Sequence, residues 1–149
     1  MAATNLPERY ILIEGYPSVA HYLNLRLTSG LSAKTEAQAT AAIKGSWYGV
    51  YVAEAATPER AIAMGRLVGD GGWYFLVTLP GHQRQGLGDV VLRKLLARVE
   101  LYGGEGTALV TLSADVKGRK LYKKNGFVDS MPEAMGMWLR VEVPERGAS

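Results

Sequence analysis

The chain has no cysteine, which excludes disulfides, thiolate nucleophiles and cysteine-ligated metals. No apolar run approaches the roughly 20 residues that a membrane-spanning helix needs. The opening residues MAATNLPERY lack a basic stretch followed by a long apolar one, so no secretory leader is expected and a cytoplasmic location is. Internal repeats and low-complexity tracts are also missing. The formal net charge of +3 is small, and the stacking-aromatic motifs of RNA binders are absent. Neither nucleic acid nor membrane is expected as a partner, and no metal site is expected.

What remains is the composition of a globular protein, with 149 residues, 48% of them hydrophobic and 21% charged,. One domain over residues 1–149 is expected, with a flexible tail from about residue 144. Cationic residues gather between Arg84 and Arg98 and between Lys117 and Lys124, a distribution that suits an anionic small ligand.

The hydrophobic pattern predicts the elements in order. RYILIEGY alternates as a strand and ends at Pro17; Ser18 then caps a helix reaching Ser29, and TEAQATAAIKG forms a second helix closed by Gly45,. SWYGVYVAEA, AIAMGRLVGDGG and WYFLVTLP read as an antiparallel meander,. Val91, Leu92, Leu95, Leu96 and Val99 recur at helical spacing, GTALVTLSA reads as a buried strand, and VKGRKLYKKNGF as a short helix stopped by Asn125-Gly126,. FVDSM and MGMWLRVEV are expected to close the domain as a strand pair. The predicted class is α/β (α+β), a mixed and mostly antiparallel sheet with helices on both faces.

The chemistry-bearing stretch is HQRQGLGDVVLRKLL, from His82 to Leu96. Between a strand and a helix it presents backbone N–H groups that have no intrahelical partner, at the positive end of the helix dipole. Gly86 and Gly88 remove side chains that would hold an anion away and permit positive φ. A tight strand-to-helix turn that needs glycine only for packing explains the pair equally well. A dinucleotide fingerprint would need a third glycine, and a Walker loop would need Gly-Lys-Ser/Thr after the turn.

The pattern that fits is Q/R-x-x-G-x-G/A, filled by Gln83, Gly86 and Gly88, with Leu121-Tyr122 and Gly126-Phe127 matching L-Y-x-x-x-G-F. With the order of elements, these residues make the chain resemble the GNAT superfamily of N-acetyltransferases over nearly its whole length. The resemblance implies that Gln83, Arg84, Gln85, Gly86, Leu87, Gly88 and Asp89 bind the pyrophosphate of acetyl-CoA. It implies too that Val77, Thr78 and Leu79 pair with its pantetheine arm where the sheet splays, and that Asp115, Lys117 and Tyr122 also contact the cofactor.

The implied reaction is direct attack of an amine on the thioester, with Tyr122 as the general acid. For the base, the sequence offers Asp70 in the GDGG turn, Glu54, His21, His82 or a water chain. Asp70 is the working choice. The implied acceptor pocket includes Leu31, Trp47, Trp73, Tyr74 and Met135, which points to a small amine with an apolar or aromatic portion. A catalytically weak acyl-CoA-binding relative is the alternative. A homodimer through MGMWLRVEV is a further expectation. Three features depart from the family pattern: Asp115 stands where Asn is frequent, Gly118 stands where Ala is frequent, and the segment from Gly72 to Pro80 is short.

Overall fold

Alternation in Tyr10–Glu14 produces the first strand, β1. It is followed by helices α1 (Val19–Thr28) and α2 (Glu36–Lys44), strands β2 (Tyr48–Glu54), β3 (Ala61–Gly69) and β4 (Tyr74–Thr78), helix α3 (Leu87–Tyr102), strand β5 (Leu109–Thr111) and helix α4 (Arg119–Lys124). The structure, a computed structural model, describes residues 6–79 and 86–146. The chain divides into two compact units, Met1–Leu112 and Ser113–Ser149.

In the first unit the strands lie in the order β1-β2-β3-β4-β5, antiparallel except for the parallel pair β4–β5. Both early helices start where the sequence places caps. The Ser18 hydroxyl accepts from the His21 N–H at 3.2 Å, and Thr35 with Gln38 forms a reciprocal capping box, each bond 3.1 Å,.

Pairing register assigns the two faces. Tyr51 is opposite Met64 and Val50 is opposite Gly65, so these pairs point to opposite sides of the sheet. Tyr51, Ala53 and Met64 pack with Tyr22, Leu25 and Ala39 of α1 and α2. The other face receives Val91, Leu92 and Leu95 of α3, all buried, each contributing about 1.5–3 kcal/mol by leaving water. Gly65 permits this close approach: a Cβ there would lie 2.6 Å from Val91 Cγ1, 2.7 Å from Leu79 Cδ2 and 2.8 Å from Leu95 Cδ1.

Polar contacts brace the α3 face. Tyr48 donates to Glu14 at 2.5 Å, Lys94 lies 3.6 Å from the same carboxylate, and the Arg98 guanidinium sits over the Tyr48 and Tyr102 rings. Burial, with the adjacent carboxylate, pushes the Tyr48 phenol well above its usual range,.

The second unit holds α4 and the residues around it. The expected strand pair FVDSM and MGMWLRVEV does not form, since residues 127–146 contain no strand. A strand exists only with a neighbour for its N–H and C=O groups. Along the described chain the last backbone hydrogen bond is Ala134 N–H to Ser130 O.

Candidate active site

Strand β4 keeps its two neighbours for different lengths. Its pairing with β3 continues to Arg66 opposite Thr78, whereas its parallel pairing with β5 ends at Leu76 opposite Thr111. Val77 and Thr78 thus run past the last β5 pair and leave that edge of β4 open. The short segment is nevertheless in register, because the one shift in the meander lies at Val52/Ala53 between β2 and β3. Phe75 and Val77 are buried toward α3, while Tyr74, Leu76 and Thr78 alternate to the other face,. The Thr78 Oγ1 is buried with no hydrogen-bond partner, an orphan that calls for a guest.

Helix α3 begins at Gly86, whose φ of 73° lies in the left-handed region, where a Cβ is strained. Space is open around that position, so backbone conformation is the demand that selects glycine there. No side chain caps the helix. Its first ladder bond is Val90 N–H to Gly86 O, which leaves the N–H groups of Leu87 and Gly88 without helical acceptors. The Asp89 carboxylate is held one turn onward by Arg93, 3.1 Å away, which turns its charge away from the helix start. Gln83, Arg84 and Gln85, with Pro80 and His82, lie outside the described residues.

The motif of the second unit has a local cause. Gly126 takes φ 90°, the Gly126 N–H donates to Lys123 O and the Phe127 N–H to Tyr122 O, both at 3.1 Å. The Tyr122 and Phe127 rings meet edge-on with centroids 5.9 Å apart. This is a Schellman closure with its apolar contact, so L-Y-x-x-x-G-F encodes a helix end that fixes the Tyr122 ring.

On the other side, Asp115 Oδ1 accepts from the Gly118 N–H at 2.7 Å. A Cβ on residue 118 would come within 2.7 Å of the Tyr122 ring and 2.8 Å of that oxygen, which accounts for glycine at this position. Burial first, and the Asp115 charge second, raise the Tyr122 phenol above its ordinary value, so it stays protonated at neutral pH. Lys117 lies in the exposed turn between Asp115 and Gly118.

Asp70 does not have the surroundings of a base. Its Oδ1 accepts from the N–H groups of Gly72, Trp73 and Tyr74 at 2.7, 3.0 and 3.2 Å. These bonds stabilise the ionised carboxylate and hold its pKa below the usual value,. The GDGG signal was that of a turn-former. His21 is also committed, with Nδ1 2.6 Å from the Glu59 carbonyl oxygen, which requires the ring N–H to donate.

Within the first unit the expected acceptor residues are not gathered at one place. Trp47 meets Phe75 at a tilt of 52° with centroids 4.7 Å apart, and Trp73 meets Tyr74 edge-on at 5.6 Å. Trp73 precedes the strand in the 71–73 bend, so the two rings do not take opposite faces as strand alternation would require. These three residues cluster at the start of β4, roughly 13 Å along the strand from Thr78. Leu31 follows the far end of α1, and Met135 lies in the second unit, 65% exposed.

Instead, a cavity of about 370 Å³ opens where the end of α1, the β2–β3 turn and the start of α3 meet, with Asn24, Thr28, Glu54, Arg60 and Leu87 in its wall. Sequence reasoning weighed Glu54 but missed Arg60, Asn24 and Thr28, because only the β2–β3 register brings their elements together. It also missed Arg66, opposite Thr78, whose buried Nε has no partner. A lone cation inside the apolar run AIAMGRLVG was the available signal.

The family model of the Acetyltransferase (GNAT) domain matches residues 46–129. Among solved structures, a probable acetyltransferase from meticillin-resistant Staphylococcus aureus is 27% identical with TM-score 0.79, and the match covers 89% of this chain and 99% of that one. A GNAT family acetyltransferase from Streptococcus pneumoniae is 20% identical with TM-score 0.67, covering 89% and 99%. Glucosamine-6-phosphate N-acetyltransferase from Arabidopsis thaliana is 14% identical with TM-score 0.67, covering 91% and 100%. No curated protein matches the chain. A mixed sheet that opens along β4 beside a glycine-started helix, together with a family match over more than half the residues, establishes that this chain belongs to the GNAT acetyltransferase family.

Proposed function

We propose that the protein transfers the acetyl group of acetyl-CoA to the primary amine of a small molecule. The observation that carries this reading is the open β4 edge at Val77–Thr78 leading to the uncapped start of α3. Bound acetyl-CoA supplies an activated acetyl thioester. Backbone groups of Val77, Thr78 and Leu79 hold its amide-bearing arm by strand addition. The N–H groups of Leu87 and Gly88, with Gln83, Arg84 and Gln85 of the preceding turn, take its pyrophosphate. Lys117 adds charge for the remaining phosphate, and Asp115 positions the Gly118 turn before Tyr122.

Tyr122 acts as general acid, since a raised phenol pKa keeps the proton that the departing thiolate needs,. Glu54 replaces Asp70 as the base. It lines the cavity beside Arg60, and the pair favours a polar amine over the aromatic one that the tryptophans suggested. An N-acetyltransferase for a phosphorylated amino sugar among the structural neighbours supports an amine acceptor in general terms.

The test is release of free thiol from acetyl-CoA across a panel of amino sugars, amino acids and arylalkylamines, with CoA binding measured in parallel by calorimetry. Turnover with a polar amine is expected. Tight CoA binding with no turnover on any amine would instead mark the chain as an acyl-CoA-binding relative.

A further inference from the structure

The cavity at the end of α1 carries two opposite charges that do not cancel one another. Glu54 ends β2 and Arg60 immediately precedes β3, and both line the wall. Among the described residues neither side chain belongs to an ion pair. The turn that carries Arg60 is nevertheless fixed from both sides. His21 Nδ1 on α1 lies 2.6 Å from the Glu59 carbonyl oxygen, and the Tyr51 hydroxyl of β2 donates to Pro58 O at 3.2 Å. Within the turn the Thr57 N–H donates to Glu54 O and the Arg60 N–H to Thr57 O.

The register shift between β2 and β3 lies in the same wall. Val52 is opposite Ala63 but Ala53 is opposite Ala61, so Ile62 is the extra residue of a bulge. Ala61 and Ile62 both line the cavity, which the regular alternation of consecutive side chains would not give. From the other side α1 contributes Asn24 and Thr28, which share a helical face with His21. The Thr28 hydroxyl donates to Leu25 O at 3.2 Å, so its oxygen is left to accept.

We propose that the acceptor is an amino carboxylate, with its carboxylate bound by Arg60 and its ammonium turned toward Glu54. This rests on the reading of the cavity as the acceptor site. A simple amine is disfavoured there, because its ammonium would enter beside a guanidinium that no protein carboxylate neutralises. A substrate with its own anion turns that repulsion into attraction. Charge count then selects carboxylate over phosphate. Arg9, next to the wall residue Tyr10, is engaged with that ring, 4.6 Å from its centroid, and donates to its hydroxyl at 2.6 Å. One guanidinium with one carboxylate balances a zwitterion, whereas a phosphate monoester brings a charge of about −1.5 to −2. The planar guanidinium also matches a carboxylate with two parallel hydrogen bonds.

Calorimetry on the full chain in the presence of CoA compares the L-amino acids, their carboxamides and ethanolamine phosphate, with thiol release from acetyl-CoA followed in parallel. At least one amino acid is expected to bind about tenfold more tightly than its carboxamide, and Arg60→Gln, its folding checked by circular dichroism, is expected to abolish that preference. Amino-acid binding that depends on Arg60 but yields no thiol would refute the acetyl transfer and support the carboxylate site. Thiol release that is indifferent both to the carboxylate and to Arg60 would uphold the transfer and overturn the carboxylate site. A preference for ethanolamine phosphate, or no binding by any amino acid, overturns it as well.

Discussion

Replacing Gly65 by alanine tests how the cofactor edge is held. The added Cβ would lie 2.6–2.8 Å from atoms of Val91, Leu79 and Leu95, nearly an ångström inside ordinary contact. All three neighbours sit in the tightly packed layer between sheet and α3, so either the helix lifts or side chains leave their rotamers, at a cost of about 1–3 kcal/mol. Alanine is the better strand residue by roughly 0.5–1 kcal/mol, which leaves a mid-range net loss of about 1 kcal/mol. For a domain of this size that lowers Tm by roughly 2–4 °C.

Thermal unfolding followed by circular dichroism measures it, alongside Leu95→Ala and the double variant. Leu95→Ala alone costs about 2–5 kcal/mol by opening a cavity, and the extra methyl at residue 65 partly fills that space. The double variant is expected to lose less than the sum of the singles, by about 0.5–3 kcal/mol. Because Leu79 directly follows the open edge of β4 and Val91 lies in the first turns of α3, CoA affinity is expected to fall as well. An unchanged Tm for Gly65→Ala, or strict additivity in the double variant, would refute the packing argument.

Other outcomes follow from the same geometry. Gly86→Ala forces a Cβ into a left-handed conformation at about 1–2 kcal/mol, and chemical denaturation should show Gly86→Asn losing less than Gly86→Ala. Gly118→Ala displaces the Tyr122 ring or the Asp115 oxygen, so kcat is expected to fall while the melting temperature of the whole chain changes little. Asp70 has a folded pKa below its ordinary value near 3.8, so its stabilisation is present above that value and is lost as pH falls through the lower folded one. Urea unfolding should find Asp70→Asn less stable than the parent at neutral pH, with the gap closing in strong acid.

Much of the frame was legible because local rules and tertiary demands agree. Ser18 and Thr35 cap the helices they precede in sequence, Asn125-Gly126 ends α4, and the glycine at residue 86 has the positive φ that its place before α3 calls for. The illegible parts depend on pairing. MGMWLRVEV alternates as a strand should, but alternation describes a side-chain pattern and cannot supply the neighbour that a strand requires. Asp70 was offered as a base because it is acidic and close to β4 in sequence, yet its three N–H partners commit it to the turn. The aromatics Trp47, Trp73 and Tyr74 were taken as pocket lining by type, whereas register places them at the opposite end of β4 from Thr78. Arg60 and Glu54 reach one cavity only because β2 and β3 fold back on each other, a relation absent from either segment alone.

Single-turnover thiol release from acetyl-CoA by the parent and by Tyr122→Phe decides whether Tyr122 donates the proton in the proposed acetyl transfer. A proton donor at residue 122 makes the rate lower by about 10²–10⁴-fold in the variant, with the affinity for CoA unchanged and the loss greatest where the parent's phenol is protonated. Equal rates for the two proteins, with folding and CoA binding intact, would contradict that role.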